Sequence, residues 1–349
     1  MRRILMVLLH ADADSFFASV VLRRRPDLVP VPVAVSAHVF VASPNYPARA
    51  RGVRGGMLVH EALRICPELV VIDVPRTEVE EASDALFDIF HQSAHTVEPG
   101  SMEEGFLDPG TSDVGAAVEL ARTIRRRAMV ELGLPVSVGI GRTKLMAKLA
   151  SRAAKPDGLY VIDAQREAEL RSSLPVGDVW GIGAHTKERL RLIGVHRLHD
   201  LDRISPDELK RVCGTTMSSR LQRIREGTDE ATLHPVEGRT SLSSEGSITG
   251  FARPDWTPTE LVAACTLRVC RRAERAGLAA AGLSLTVKSE AVGPVIVLKH
   301  QAPDPTSDLN YWAAVSRDLL TQQTLPRVVG VRVTLTGLVP PNRIPPTLF

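Results

Sequence analysis

The feature that most limits the fold is a six-residue apolar run, Ile4 to Leu9, which leads directly into His10-Ala11-Asp12-Ala13-Asp14. An uninterrupted run this short, bounded by charged residues, suits a strand covered on both faces better than a helix, and predicts the centre of a sheet flanked by helices. Alternation along an extended chain sets Asp12 and Asp14 on one face, beyond that core. Asp14 has a local explanation, as the N-cap of a following helix. Asp12 has none, and an acid at the end of a buried strand needs a cationic partner or a metal ion.

The first half of the chain continues as alternating helices and strands. Phe16, Phe17, Val20 and Val21 have helical spacing up to Arg23-Arg24-Arg25-Pro26. Short strands are expected at 31–35 and 39–42, a helix at 56–65, a strand at 70–74, a longer helix at 78–95 and a strand pair at 97–107 turning at Pro99-Gly100. A helix at 116–132, a strand at 136–140 and a helix at 143–154, closed by Lys155-Pro156-Asp157-Gly158, complete one α/β unit. From Glu167 to Gly227 short helices broken by glycine predict a small all-α domain, followed by a polar linker. The last segments read strand, helix, two strands, helix, strand, a split βαββαβ order, and the Pro-rich stretch 340–349 is expected to be flexible.

A length of 349 residues suits two or three domains, and 44% hydrophobic against 24% charged residues excludes a disordered chain. The net charge is +3, with only 7 lysines among the 43 basic residues, so arginine carries most of the positive surface and polyanion binding is compatible. Cys66, Cys213, Cys265 and Cys270 make no C-x-x-C pair, which reads as reduced thiols and a cytoplasmic location. The first apolar run is shorter than a secretory core, and no run of about 18 apolar residues exists to cross a membrane.

Ser101-Met102-Glu103-Glu104-Gly105-Phe106-Leu107-Asp108 supplies a second acidic cluster. On a regular strand the adjacent carboxylates would point to opposite faces, and a bulge near Gly100 would bring them to one site. Such a cluster alone also describes a solvated hairpin. With Asp12 it makes an oxygen-only donor set that suits Mg²⁺ and phosphoryl transfer. Lys144, Lys148 and Arg152 form an i, i+4, i+8 stripe, which is either a solvated helix face or the seat of a triphosphate, in a chain with no Walker A pattern. Gly181-Ile182-Gly183 lacks a third glycine and a preceding strand, so it fits a turn between helices that offers backbone N–H groups to one phosphate.

Taken in order over residues 7 to 338, these segments resemble the Y-family (translesion) DNA polymerases, in particular the DNA polymerase IV branch. The resemblance implies a right-hand polymerase of α/β and α+β domains: palm and fingers at 1–166 (fingers about 21–75), a helical thumb at 167–231, a linker at 232–240, a βαββαβ little finger at 241–338 and a tail at 339–349. His10-Ala-Asp12-Ala-Asp14-Ser-Phe16-Phe17 resembles the opening motif, assigning Asp12 and the Ala13 carbonyl to metal, Phe16 to the nucleotide site and Phe17 to a steric gate against a ribose 2′-OH. Ser43-Pro-Asn-Tyr46-Pro47-Ala-Arg49 is similar to the fingers motif, with Ser43, Tyr46 and Arg49 facing the triphosphate and Pro47 where Glu is usual. Val138 to Ser151 matches the strand-turn-helix that places Lys148 at the triphosphate. Trp180 to Lys187 resembles the helix-hairpin-helix of the thumb, and Arg239-Thr-Ser241 opens the little finger, so Gly181, Gly183, Lys187, Arg239 and Ser241 are expected to meet DNA.

The resemblance thus implies Asp12, Glu103 and Glu104 around two Mg²⁺ ions, with primer-template DNA and dNTP as substrates, in a monomer. The last residues, Leu348 and Phe349 after Thr347, resemble the end of a sliding-clamp-binding peptide, with Pro345 in place of the expected Gln. Glu103 is the chief departure, since the pattern has Asp followed by Glu. One extra methylene displaces the carboxylate by about 1.5 Å, and Mg²⁺ is exacting in geometry, so the departure points to slow or Mn²⁺-preferring catalysis. Two rival readings remain: a weakened relative acting as a DNA-binding accessory factor, and a two-metal nuclease or nucleotide cyclase. The second would gain nothing from the glycine turn or the βαββαβ end.

Overall fold

The computed structural model describes residues 7–37, 39–247, 256–289, 295–322 and 327–340. The chain forms two compact units, Met1–Arg23 with Thr77–Leu233, and Arg24–Arg76 with His234–Phe349. In chain order, β1 (Leu8–Ala13) and α1 (Phe16–Leu22) open the first unit. The second unit takes β2 (Val33–Ala37), β3 (Phe40–Pro44), α2 (Tyr46–Ala50), α3 (Val59–Ile65) and β4 (Val70–Asp73). The first unit resumes at α4 (Arg76–Ser93), β5 (Thr96–Pro99), β6 (Glu104–Asp108), α5 (Val114–Leu132), β7 (Val136–Gly141), α6 (Lys144–Ala154) and β8 (Leu159–Val161), then α7 (Ala164–Ser173), α8 (Ala184–Leu192) and α9 (Pro206–Glu226). The second unit ends with β9 (Ser241–Ser247), α10 (Pro258–Arg275), β10 (Ala279–Ser289), β11 (Ile296–Thr306), α11 (Leu309–Thr321) and β12 (Val328–Val339).

The first unit is built on a five-stranded sheet of order β5-β6-β1-β7-β8, with β1 at its centre, as its apolar run requires. The strand runs further than that run: it continues through Asp12, so this acid lies within the ladder, opposite Glu104 on β6 and Ser137 on β7. One face of the sheet, carrying Leu9, Ala11, Val138 and Leu107, is buried under helices such as α5, whose Ala117, Ala121, Ile124 and Ala128 are all 0% exposed. The other face, carrying Leu8, His10, Asp12 and Phe106, is covered by α6.

That covering depends on two glycines of β7. A Cβ built on Gly139 would coincide with the backbone of Ala147 and Ser151, and one on Gly141 would meet the Ala147 amide at 2.6 Å. The helix backbone therefore lies directly on the sheet, with Thr143 capping its N-terminus through the Met146 N–H.

One local expectation fails. Asp14 does not cap α1: the N-cap is Ser15, in the left-handed region at φ 44°, and it makes no side-chain cap bond. Asp14 turns inward instead, where it accepts from the Ser137 hydroxyl at 2.9 Å and the Asp157 amide at 2.5 Å. A fully buried carboxylate gains more from such donors than from an exposed helix end. The bulge expected near Gly100 has its counterpart in two successive amides, those of Gly100 and Ser101, which both donate to the Glu104 carbonyl at 2.9 and 3.2 Å.

The α-helical part of the first unit, α7 to α9, shares a core with α6 that includes Leu145, Met146, Leu190, Leu221 and Ile224. Where α9 ends, Arg171 is buried against Glu167 at 2.6 Å and Asp229 at 2.7 Å, and Arg142 donates to the Gly227 carbonyl at 2.9 Å. In the second unit, residues 24–76 form a sheet of order β3-β2-β4, and the last segments form a four-stranded sheet of order β11-β10-β12-β9. Each βαβ link in that second sheet is split: β12 lies between β9 and β10, and β10 between β11 and β12. Its core centres on Trp312, with Leu261, Val269, Leu285 and Val333. No helix among the described residues is long and apolar enough to cross a membrane.

Because α6 rests on bare backbone, Gly139→Ala should lower the unfolding free energy by about 3 kcal/mol. Gly238→Ala, whose Cβ would meet nothing within 4 Å, should change it by no more than about 0.5 kcal/mol. Urea titration of both variants measures the contrast.

Candidate active site

The side chains on the α6-covered face follow from strand register. Asp12 and Glu104 are directly opposite across the β1–β6 pair, and His10 and Phe106 are the next pair along. Glu103 lies in the turn just before β6, so the two neighbouring acids need not point to opposite faces. Its carbonyl accepts the Ala13 N–H at 2.9 Å, which binds this turn to the end of β1.

Helix α6 sets a series of partners against these residues. Lys144 reaches Glu98 on β5 at 2.7 Å, Lys148 pairs with Glu104, the Ser151 hydroxyl meets His10 Nδ1 at 2.7 Å, and Lys155 reaches Asp12 at 2.6 Å. The stripe is therefore 144, 148, 151 and 155, and Arg152 is exposed. At about 100° per residue, i+8 lies about 80° away from residue 144, whereas i+7 and i+11 return to within about 20° of it.

Electrostatics distinguishes the carboxylates. Burial alone would raise the Glu104 pKa, but its contacts with His10 and Lys148, with the lysine charge, hold it down at about 2. Glu103 goes the opposite way: burial pushes it up, a bond with Ser101 pulls back, and the charges of Asp12 and Glu104 push it further up. Burial lowers the His10 pKa, so the ring is neutral.

Ligand atoms of His10, Asp12 and Glu104 lie within 4.8 Å of one another, and the two carboxylates offer the hard oxygen donors of a divalent-cation site. The donor set fits such an ion, with Lys148 and Lys155 balancing the carboxylate charge.

The other expected residues fall as follows. Phe16 is 3% exposed and belongs to the core, contrary to its expected place at a nucleotide, while Phe17 packs against it at a tilt, ring centres 5.7 Å apart, and is only half-buried. In the second unit Ser43 is buried on β3, Tyr46 opens α2, and Arg49 donates to the Pro44 carbonyl at 2.9 Å with its guanidinium 5.8 Å from the Tyr46 ring centre. Gly181 has a positive φ of 88° and Gly183 caps α8, in an exposed turn with an exposed Lys187. Arg239 and Ser241 stand at the start of β9, and Leu348 and Phe349 lie outside the described residues.

Sequence reasoning missed His10, Ser151, Lys155 and Trp180 as part of this environment. Trp180 lies 5.7 Å from Lys148, 5.3 Å from Arg220 and 5.7 Å from the Phe106 ring. His10 carried a usable signal, two residues before Asp12 and so on the same face. Lys155 is the C-cap of α6 and the last member of the same stripe.

The Glu104 shift gives a pH expectation for the metal-free protein. Its folded pKa of about 2 lies below the ordinary 4.5, so the Lys148–Glu104 pair contributes fully above about pH 4.5 and is lost as pH falls toward 2. In chelator, the stability difference between the wild type and Lys148→Met should be constant from pH 7 to 5 and shrink below 4.5, as followed by urea unfolding at each pH.

Residues 11–152 match the model of the impB/mucB/samB family. DNA polymerase IV of Desulfatibacillum aliphaticivorans is 32% identical over 97% of this chain and 86% of its own length. DNA polymerase IV 2 of Mesorhizobium japonicum is 36% identical over 69% of this chain, and the DNA repair protein REV1 of Arabidopsis thaliana is 38% identical over 68%. The match spans 58% and 22% of the lengths of those two relatives. Among solved structures, a Dbh ternary complex superposes with a TM-score of 0.73 at 21% identity, and DinB from Sulfolobus solfataricus with 0.70 at 21%. Each covers 96% of this chain and 100% of the other, and these two likenesses speak to the fold. On this fold, this carboxylate pair and a relative matched over nearly the whole chain, the protein belongs to the Y-family of translesion DNA polymerases, in the DNA polymerase IV branch.

Proposed function

We propose that this chain is a template-directed DNA polymerase that adds dNTPs to a primer 3′-OH, with the low fidelity and damage tolerance of the translesion type. The observation that carries the reading is the register pair Asp12–Glu104, with Glu103 beside it and Lys148 and Lys155 seated on the same carboxylates. Asp12, Glu103, Glu104 and the Ala13 carbonyl would hold two Mg²⁺ ions. When bound, these activate the 3′-OH and neutralise the triphosphate and its leaving group.

The protein's own groups do the rest. Lys148 and Lys155 are point charges on flexible stems, able to leave a carboxylate for a phosphate oxygen. Tyr46 and Arg49 are retained as triphosphate contacts on the fingers motif, and the bond from Arg49 to Pro44 fixes the plane of its fork. Phe17, with Phe16 buried behind it, would pack against the sugar and reject a 2′-OH. The exposed Gly181–Gly183 turn with Lys187, and Arg239 with Ser241, would contact the DNA backbone without reading sequence. The palm, fingers, thumb and little-finger boundaries, the monomeric state and a sliding clamp held through Leu348 and Phe349 belong to the same proposal.

A second reading, a weakened accessory factor, is favoured by one observation: Glu103 holds its proton more tightly than an ordinary glutamate. The longer side chain of Glu103, where the related motif has Asp, supports a preference for Mn²⁺, which tolerates looser geometry than Mg²⁺.

Primer extension with Mg²⁺ and Mn²⁺ in parallel tests both. Asp12→Ala should reduce extension by about 10³-fold or more, and Glu103→Asp should raise the Mg²⁺-supported rate by about 10-fold or more. No extension by the wild type with either metal, despite intact DNA binding, would favour the accessory factor. Phe17→Ala should raise ribonucleotide insertion by about 10²-fold or more while leaving dNTP use within about threefold; unchanged sugar selectivity would remove Phe17 from the gate.

A further inference from the structure

One fully buried polar side chain on the active-site face has no role in the proposed reaction: His10. It sits on β1 two residues before Asp12 and opposite Gly139, whose missing side chain lets the backbone of α6 approach. Its Nδ1 is 2.7 Å from Ser151 Oγ. The Ser151 hydroxyl has an acceptor of its own, the Lys148 carbonyl at 2.9 Å. A hydroxyl has a single hydrogen, and when that hydrogen goes to the carbonyl, Ser151 can only receive from an Nδ1–H. A neutral imidazole protonated at Nδ1 presents a lone pair at Nε2. Nε2 faces the Glu104 carboxylate at 3.3 Å, which has no proton to give, and the Lys148 ammonium at 3.4 Å, which does. The Lys148 ammonium is thus shared between an imidazole nitrogen and a carboxylate.

We propose that His10, oriented by Ser151, is a positioning residue that keeps Lys148 aimed when Glu104 turns to a metal ion. A carboxylate engaged by a divalent cation is a poorer acceptor, and a long lysine stem with no second anchor would disperse among rotamers. The buried imidazole keeps its lone pair on the ammonium. The inference rests on the reading of Lys148 as a triphosphate contact, and it has a readout independent of that reading.

That readout is the tautomer. Long-range ¹H–¹⁵N spectra of the histidine-labelled full chain in chelator should show His10 protonated at Nδ1 alone. Ser151→Ala should move the proton to Nε2, toward Glu104. A wild-type ring protonated at Nε2 overturns the inference whether or not the protein polymerises DNA.

Single-nucleotide insertion kinetics provides the second arm. His10→Phe and Ser151→Ala should raise KM for dNTP by about 10-fold and about 3-fold, with kcat and primer-template affinity within about twofold. In a Lys148→Ala background neither substitution should raise KM further, because the partner they act through is gone. Factors that multiply in that background would overturn the proposal. So would a fall in kcat at unchanged KM, which would place the action of His10 on Glu104. Should His10→Phe fail to fold, Ser151→Ala carries both arms. Should the wild type insert no nucleotide, the polymerase reading fails and the spectra still decide whether His10 holds Lys148.

Discussion

The architecture of the site depends on how closely a helix backbone can approach a sheet. At Gly139 and Gly141 helix α6 rests on β7 with no side chain between them, closer than any pair of Cβ-bearing residues allows. This approach brings Lys144, Lys148, Ser151 and Lys155 down onto Glu98, Glu104, His10 and Asp12, one contact per turn or less. A helix held a few ångströms further out would leave two carboxylates facing each other across a strand pair with only water to separate their charge. The acids can share a face because the lysines come with the fold.

The site is therefore close to electrically balanced rather than a bare acidic pit. Each carboxylate of the Asp12–Glu104 pair has a lysine, and Glu103, set in the turn, has only Ser101 and more distant charges. The two neighbouring glutamates thus part in acidity, with Glu104 held down and Glu103 pushed up. Glu103 is also where this sequence departs from the Asp of the related motif, so the longer side chain and the more basic carboxyl coincide at one position.

Most of this was legible in the sequence for a physical reason: where burial has a period, the chain shows it. The apolar run before Asp12, the alternation on β7 and the amphipathic α5 and α10 all lie close to their expected places. The short strand β8 and the helix α2 were not anticipated, since three and five residues are too few for a period to register. Asp12 and Glu104 could be named from the strand and the turn, but their pairing is a matter of register between segments about ninety residues apart, which no local pattern carries. Asp14 looked like a cap because caps are a local solution, and it was taken by long-range donors instead. Lys155 reads in sequence as the start of the turn that closes α6, whereas it is the last member of the helix stripe and its ammonium reaches Asp12.

The charged knot at the end of α9 constrains the chain on another timescale. Arg171, Glu167 and Asp229 are each less than a tenth exposed, and Arg142 joins them while holding the Gly227 carbonyl. Losing one member of such a group strands the charge of another in a medium that cannot solvate it, at a cost of about 3–5 kcal/mol, whereas exchanging the set for apolar residues of similar volume can be neutral. Single substitutions here lead downhill in stability, and only concerted ones cross to another solution. Over descent these four positions should consequently behave as one inherited character, drifting together or not at all, although they are spread over nearly ninety residues of sequence.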